Sequence, residues 1–475
     1  MIENLGAEEL RNRLAAAGVD REATDRWLRA FANLPLPSAA DPDRLEADAA
    51  FAEPIFAQGW EILERLPLRS RRNAIEKRAG ESVVAAMAGV CWRFCRAHRR
   101  ALYVRLTSDF SEAVRVDELC RHAAEVCPGL VPTSAEVAQE SERLLKDKDG
   151  REINQGLFIA QMLSDRETGT HLLTSMLRPT PAAIERLGEF VKQGVVDLGN
   201  ARVEARGAAG YVFFTHLDSL NSEDDETCGP WETAVDLVLL HPELRIGVLR
   251  GDPVRHPKYR GRRVFSSGLD LTRLYQGKLP FLFFMVRDMG FVNKLYRGLA
   301  GPDYRLDEPE DTLEKPWVAV LDAFAIGGGC QLLLVMDYVI AEAGSYFNLP
   351  ARKEGIIPGC ANLRLPRFMG ERLARQALMF DRTFYVDGAE ARTVVNEVHP
   401  RGRLDEAVER AVSGALSFGM ASAAGNRKAI RVQTEPVDKF REFMALNAKE
   451  QAFNHSSEQL TDNLERYWRA RKSPD

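Results

Sequence analysis

The chain has 475 residues, 45% of them hydrophobic and 28% charged, which is ordinary for a globular protein of two to four domains. Its net charge of −5 gives no general attraction to nucleic acid. No segment approaches the ~18 consecutive apolar residues of a membrane helix, and the charged N-terminus lacks the apolar core of a signal peptide, so we expect a cytoplasmic protein without a membrane partner.

Residues 1–205 are predicted to form a helical domain with almost no strand. Apolar residues recur with the 3.6-residue period of amphipathic helices in Leu45–Leu66 and Glu81–Leu106. Thr133 and Glu136 have the spacing of a capping box, which marks the start of a further helix.

Seven cysteines are spread over the chain, and an odd number favours free thiols over a disulfide framework. Cys91, Cys95, His98, Cys120 and His122 are close in sequence, but their spacing fits no standard zinc pattern. Cys91 and Cys95 share a helix face with apolar residues, so core packing is the preferred interpretation and no metal site is predicted.

Strands begin to alternate with helices near Gly210, and residues 206–370 are predicted to form an α/β domain. Buried strands are predicted in Leu244–Asp252 and Lys315–Asp322, which are rich in aliphatic residues. Residues 371–475 are predicted to form a C-terminal helical region, whose last helix extends over Val437–Arg471.

A turn of small residues follows each of the two predicted buried strands. The turn after Leu244–Asp252 is FSSGLDL (Phe265–Leu271), and the turn after Lys315–Asp322 lies in FAIGGGCQLLLVM (Phe324–Met336). Glycine permits positive φ and lets a ligand approach the backbone, and the start of the following helix presents unpaired N–H groups. Two N–H groups from two such turns can converge on one oxyanion. A tight strand-to-helix turn without a ligand has the same local pattern.

Together the two turns resemble the crotonase (enoyl-CoA hydratase/isomerase) superfamily, and GIIPG (Gly355–Gly359) follows in a similar order. The resemblance implies an α/β fold, a crotonase-like spiral of ββα units, preceded by an all-helical N-terminal region and followed by C-terminal helices. It also implies that the N–H groups of Leu269 and Gly328 hold the thioester oxygen of an acyl-CoA. In such proteins the C-terminal helices pack against a neighbouring subunit, which implies a homotrimer or a dimer of trimers.

The two carboxylates that hydratases of this superfamily use are replaced in this chain. The resemblance aligns one with Gln331, after the GGG turn, and the other with Ala351 in PARKEGIIPG. A carboxamide or a methyl group is no general acid or base at neutral pH. Simple hydration is therefore not expected.

A narrower resemblance covers most of residues 100–460, including KDKDGREINQGLF, HLLTSMLRPTP, RGRRVFSSGLDL and LPARKEGIIPGCANLRLPRF. These segments are similar to the cofactor-independent dioxygenases of glycopeptide-antibiotic pathways that act on (3,5-dihydroxyphenyl)acetyl-CoA. The resemblance implies two groups of further site residues. They are Glu223, Arg287 and Gln331 around the dihydroxyphenyl ring, and Ala351 and Ile356 along an oxygen pocket.

The reaction implied by this resemblance consumes an aryl-acetyl-CoA and O₂ and needs no metal or flavin, since CoA is part of the substrate. Two N–H donors stabilise the thioester enolate, which reduces O₂ directly. The resulting peroxide closes on the thioester carbonyl, CoA leaves, and 3,5-dihydroxyphenylglyoxylate forms. No group that takes the α-proton is evident in the sequence.

Two alternatives stay open. One is another crotonase-type acyl-CoA enzyme, such as a thioester hydrolase, isomerase or decarboxylase. The other is a non-catalytic crotonase-like scaffold whose helical half binds a partner. Without the family pattern, Glu223 is a solvated loop carboxylate, Arg287 an ordinary helix residue, and Ala351 and Ile356 are core residues.

Overall fold

The computed structural model describes residues 6–34, 44–417 and 420–468. The chain divides into two compact units, each made of several segments. The first unit comprises Met1–Leu172, Thr272–Leu282 and Arg441–Arg466, and the second comprises Leu173–Leu271, Phe283–Phe440 and Tyr467–Asp475. The three domains expected from the sequence stay a prediction.

The α-helices within the described residues are α1 (Ala7–Ala16), α2 (Arg21–Asn33), α3 (Leu45–Arg65), α4 (Ala74–Leu106), α5 (Val116–Val126), α6 (Ser134–Glu140), α7 (Ile153–Ser164), α8 (Arg166–Met176), α9 (Pro181–Gln193), α10 (Asp225–Leu240), α11 (Leu271–Tyr275), α12 (Leu282–Val286), α13 (Val292–Arg297), α14 (Gly328–Leu333), α15 (Ala351–Glu354), α16 (Ala361–Phe380), α17 (Leu404–Leu416), α18 (Met420–Thr434), α19 (Val437–His455) and α20 (Glu458–Tyr467). A π-helical turn, Arg287–Phe291, joins α12 to α13.

The β-strands within the described residues are β1 (Val195–Asp197), β2 (Ala201–Arg206), β3 (Ala209–Phe214), β4 (Ser222–Glu223), β5 (Ile246–Gly251), β6 (Gly268–Leu269), β7 (Leu299–Ala300), β8 (Thr312–Leu313), β9 (Trp317–Leu321), β10 (Phe324–Ile326), β11 (Tyr338–Glu342), β12 (Tyr346–Asn348), β13 (Thr383–Tyr385) and β14 (Glu397–His399).

The first unit is helical. Its helix α4 begins seven residues earlier than the predicted start at Glu81, because Asn73 and Glu76 form a capping box that satisfies backbone N–H groups of the first turn. Cys91 and Cys95 are buried on α4, which agrees with their interpretation as core residues.

The capping box predicted before α6 is confirmed. Glu136 N donates to Thr133 Oγ1 at 3.2 Å, and Thr133 N donates to Glu136 Oε2 at 2.8 Å. The single helix predicted over Val437–Arg471 is wrong, since the structure breaks it between α19 and α20. Ser457 Oγ accepts from Leu460 N at 3.1 Å and caps the second piece, and residues 469–471 lie outside the described ranges.

The second unit is built around a seven-stranded sheet in the order β1-β2-β3-β5-β9-β11-β14. Within this sheet the five strands β3, β5, β9, β11 and β14 run parallel to one another, whereas β1 and β2 add an antiparallel edge. The two buried strands predicted from the sequence are β5 and β9, and every residue of both is buried. One sheet face packs on α17, with Val248 and Val320 against Leu404 and Val408.

Three smaller sheets complete this unit: β4 with β6, β7 with β8, and β10-β12-β13. Four successive segments repeat one pattern, a strand of the large sheet, a strand of a small sheet and a helix. They are β3-β4-α10, β5-β6-α11, β9-β10-α14 and β11-β12-α15. The predicted spiral of ββα units is thereby confirmed, with helices before and after it. In each of these four segments the small-sheet strand is followed by a turn into the helix, and two of these turns form the site described next.

Candidate active site

The two small-residue turns of the sequence lie side by side. Ile326 N donates to Ser266 O at 3.0 Å, which continues the strand pairing up to the turns. At Gly268, where φ is 77°, a β-carbon would clash with the Ile326 carbonyl oxygen and lie 3.0 Å from Gly328 N. The backbones of the two turns therefore touch, which requires glycine at position 268.

Residues of both turns line one cavity. Gly327 has φ 54° and precedes Gly328, the first residue of α14, whose N–H has no acceptor within the helix. On the other turn, Asp270 N donates to Glu223 O at 2.9 Å. Successive amides of a strand point to opposite edges, so the Leu269 N–H is directed away from β4. Leu269 and Gly328 both line the cavity, and their role as paired oxyanion donors stays a prediction.

Arg287 lies at the start of the π-helical turn, a distortion that often marks functional positions. Its Nε and Nη2 donate to the two oxygens of Glu223, the latter at 3.0 Å. Nη1 donates to Asp288 at 2.7 Å and to Gln331 Oε1 at 3.0 Å, and Nη2 also donates to the Gly328 carbonyl at 3.0 Å. A guanidinium has five N–H groups, so every donor of Arg287 has a partner.

Charge stabilises this network. Burial alone disfavours the guanidinium cation, but the carboxylates of Glu223 and Asp288 hold the pKa of Arg287 above its ordinary value. All three side chains are buried. Two carboxylates around one guanidinium give the network a net charge of −1, and Gln331 adds a neutral polar group to it.

The side chain of Gln331 is oriented by the same network. Its Oε1 must face Arg287, because a guanidinium only donates, and its Nε2 is therefore the group left to donate elsewhere. A β-carbon at Gly359 would lie 2.9 Å from this Oε1 and would clash with Asp288. The GIIPG segment thus packs directly on the polar network.

The cavity has a polar side and an apolar side. Phe283, Phe284, Ile357 and Pro358 form its apolar lining. The sequence-predicted residues that line it are Leu269, Gly328, Gln331, Glu223, Arg287 and Ile356. Ala351, the other residue expected at an oxygen pocket, is buried at the start of α15 and is not part of this lining.

Two further carboxyl groups line the cavity, and the sequence alone did not single them out. Asp288 is adjacent to Arg287, and Glu354 is the last residue of α15. Glu354 is partly buried, and its desolvation, with repulsion from Asp381, raises its pKa to about 7. Glu354 lies inside PARKEGIIPG, a segment that carried the family resemblance, but nothing in the local pattern of either residue marks it as a cavity residue.

Within the described residues, no three His, Cys, Asp or Glu side chains are grouped so that they could hold a metal ion. Over the same ranges, no helix combines the length and the apolar character needed to cross a membrane.

Comparisons with known proteins relate this chain to acyl-CoA enzymes. The profile of the enoyl-CoA hydratase/isomerase family matches residues 260–473. The chain is 43% identical over 394 residues to a (3,5-dihydroxyphenyl)acetyl-CoA 1,2-dioxygenase from Amycolatopsis orientalis, a match that covers 82% of this chain and 89% of that protein. It is 28% identical over 199 residues to a carnitinyl-CoA dehydratase from Salmonella heidelberg (strain SL476), which covers 42% of this chain and 67% of that protein. A crystal structure of an enoyl-CoA hydratase from Mycobacterium avium subsp. paratuberculosis K-10 aligns with 59% of this chain and 99% of its own, with 19% identity and a TM-score of 0.47.

Proposed function

This chain belongs to the crotonase (enoyl-CoA hydratase/isomerase) family, and from that premise we propose that it is a dioxygenase that converts (3,5-dihydroxyphenyl)acetyl-CoA and O₂ into 3,5-dihydroxyphenylglyoxylate and CoA. The extent of the match to the dioxygenase carries this proposal. It covers 82% of the chain, whereas the match to the dehydratase covers 42%. The similarity therefore extends beyond the part shared with an ordinary acyl-CoA enzyme.

The first chemical step is formation of the thioester enolate. The amides of Leu269 and Gly328 donate to the thioester oxygen as negative charge develops on it, and one such donor is typically worth ~3–4 kcal/mol in a transition state. The contact between their two turns supports this role, because the Gly268 backbone lies directly against Gly328 N. Fixed amides need no reorganisation when the charge appears.

The electrons that reduce O₂ come from the substrate. The enolate transfers them to O₂ and its α-carbon bonds to oxygen, and the new peroxide attacks the thioester carbonyl and expels the CoA thiolate. The remaining α-proton is then lost as the O–O bond breaks, which gives the α-keto group of the glyoxylate, so one thioester and one O₂ yield one glyoxylate and one CoA. This sequence needs no metal or flavin. The apolar lining from Phe283, Phe284 and Ile356 supports a site that excludes water and admits O₂.

Recognition of the ring hydroxyls falls to Glu223 and Gln331. Each Glu223 oxygen accepts one N–H of Arg287 and keeps a further lone pair for a phenol. Gln331 offers its Nε2 as a donor. Arg287, which the family resemblance places against the ring, has no free donor in this structure. We therefore assign it the task of orienting Glu223 and Gln331, and a direct bond to the substrate would require one present partner to be released.

The same arrangement disfavours hydration. Gln331 replaces one acid of the hydratases, and its oxygen is already bound by Arg287. The position of the second acid holds Ala351, which has no ionisable group. A homotrimer or dimer of trimers and a cytoplasmic location are parts of the same proposal.

The test is O₂ uptake by protein dialysed against a chelator, measured with an oxygen electrode after addition of (3,5-dihydroxyphenyl)acetyl-CoA. We expect one O₂ consumed and one CoA thiol released per thioester, with the arylglyoxylate identified by mass spectrometry. Release of CoA under strict anaerobiosis would instead identify a hydrolase. Activity that is lost on chelation and restored by one metal would refute cofactor independence.

A further inference from the structure

The cavity holds a carboxyl group that the reaction described above does not yet use. We propose that the carboxylate of Glu354 is the general base that removes the α-proton of the thioester substrate. This inference rests on the proposed function, since it assigns the enolate-forming step of the same cavity to a particular side chain.

The backbone fixes the position of Glu354. Its amide donates to Pro350 O at 3.0 Å, and Gly355 N donates to Ala351 O at 2.7 Å. The short helix α15 therefore ends immediately after Glu354. The residue lines the cavity together with Leu269 and Gly328. The α-carbon of a thioester is bonded to its carbonyl carbon, so a substrate held by these two amides places its α-proton in the cavity that Glu354 lines.

The other carboxylates of the cavity are poor candidates for this step. Glu223 and Asp288 both accept hydrogen bonds from Arg287. Both side chains are therefore held by the guanidinium as parts of its hydrogen-bond network. Among the described residues Glu354 has no ion-pair partner, and its neighbour Lys353 pairs with Asp381. Among the described residues that line the cavity, Glu354 is thus the carboxylate that no cation holds.

The charges around Glu354 favour a base that works near neutral pH. Asp381, at the C-terminal end of α16, faces it and is itself paired with Lys353. The cavity also contains Arg287 between Glu223 and Asp288, a group with a net negative charge. Burial and Asp381 raise the pKa of Glu354 to about 7. A base with a pKa near the working pH combines a useful ionised fraction with a strong driving force.

The step balances without an oxidant. The α-C–H bond breaks, its proton moves to a Glu354 oxygen, and the electron pair enters the enolate, whose negative charge lies on the thioester oxygen at Leu269 and Gly328. O₂ is reduced only afterwards. Enolate formation can therefore be measured without O₂, independently of the oxygenation that defines the proposed function.

The experiment is anaerobic exchange of the α-hydrogens of (3,5-dihydroxyphenyl)acetyl-CoA in D₂O, followed by mass spectrometry. Wild-type protein is expected to exchange them, with a rate that falls as the pH drops below about 7, because Glu354 becomes protonated. Since general bases typically contribute 10²–10⁴-fold, Glu354→Gln should slow exchange by about 100-fold or more. Glu354→Asp, which keeps a carboxyl group, should retain measurable exchange with a pH dependence.

The matched control is Glu371→Gln, at an exposed glutamate paired with Arg375, which should exchange at the wild-type rate. Thermal unfolding and the dissociation constant of the thioester check that each variant is folded and binds substrate. Exchange by folded Glu354→Gln within about threefold of wild type would overturn the base assignment, as would absence of exchange by wild type. Exchange by wild type without O₂ uptake would refute the dioxygenase while leaving Glu354 as the base of an enolate-forming enzyme.

Discussion

The carboxylate of Glu223 lies directly against the α-carbon of Gly328, so close that a β-carbon at position 328 would be 2.5 Å from either carboxylate oxygen. One contact thus joins the proposed ring-binding group to a proposed oxyanion donor. Glycine is required at 328 because of this neighbour, in addition to any benefit for ligand approach.

Gly328→Ala should disable the site by this contact. The new methyl group pushes Glu223 away from Arg287, at a cost of ~1–3 kcal/mol in stability for an overpacked site. We expect kcat/KM for the dihydroxyphenyl substrate to fall by roughly tenfold or more, since each decade corresponds to about 1.4 kcal/mol. Gly414→Ala is the control, because Gly414 lies in α17 with open space around its α-carbon. Equal activity of the two variants would contradict the packing argument.

Arg287→Lys should impair turnover regardless of the ring. Lysine keeps the charge but offers only three donors on one atom, so it cannot replace the five hydrogen bonds that Arg287 donates to Glu223, Asp288, Gln331 and the Gly328 carbonyl. We expect kcat/KM to drop by about tenfold or more for both (3,5-dihydroxyphenyl)acetyl-CoA and phenylacetyl-CoA. A loss confined to the hydroxylated thioester would instead indicate that Arg287 serves only recognition of the ring hydroxyls, directly or through Glu223 and Gln331.

Gln331→Glu tests two functions of this position separately, which are recognition of the ring hydroxyls and hydration of an enoyl-CoA. The new side chain still accepts from Arg287, but it lacks the Nε2 donor proposed for a ring hydroxyl. Loss of one hydrogen bond costs ~0.5–1.5 kcal/mol, so kcat/KM for the dihydroxyphenyl thioester should fall roughly 2- to 10-fold, with a smaller change for phenylacetyl-CoA. The variant should not hydrate crotonyl-CoA, because Ala351 still cannot act as an acid. Measurable hydration would count against this interpretation.

Glu435→Gln should destabilise the fold at neutral pH. Glu435 is buried and binds Arg364 at 2.9 Å and Arg367 at 2.7 Å. Burial alone would raise its pKa, but these arginines and Arg297 hold the pKa of Glu435 at about 2. A pKa below the unfolded value stabilises the fold by roughly 3 kcal/mol at pH 7.

This contribution is complete above the unfolded pKa of about 4.3 and is lost as the pH falls towards 2. Chemical denaturation at several pH values should therefore show a large difference between wild type and Glu435→Gln at pH 7 that narrows below about pH 4. The exposed-site variant Glu371→Gln should stay within ~0.5 kcal/mol of wild type throughout. A difference for Glu435→Gln that is independent of pH would mean that charge does not stabilise the cluster.

The sequence predicts those parts of the fold and site that depend on local pattern. Aliphatic runs predict β5 and β9, and the glycine-rich segments predict the turns around Gly268 and Gly328, because backbone conformation there depends on adjacent residues. The capping box at Thr133 is local in the same sense.

Long-range features could not be predicted in this way. Glu223 and Arg287 are 64 residues apart in the chain. Arg287, whose N–H groups are all hydrogen-bonded, lies at the start of a π-helical turn, and such a turn has no simple sequence pattern. Likewise, the pKa of Glu354 depends on its burial and on Asp381, neither of which can be inferred from the segment PARKEG.

The fully occupied guanidinium of Arg287 also has a consequence for redesign of the substrate range. Because one cation holds Glu223, Asp288, Gln331 and the Gly328 carbonyl together, substitutions at these positions will be strongly non-additive. In a library of variants with one of these positions changed at a time, most variants will have lost hydrogen bonds of Arg287. New ring specificities should emerge when the side chains of Arg287, Glu223, Asp288 and Gln331 are exchanged as a set, with the total charge and the number of donors and acceptors kept in balance.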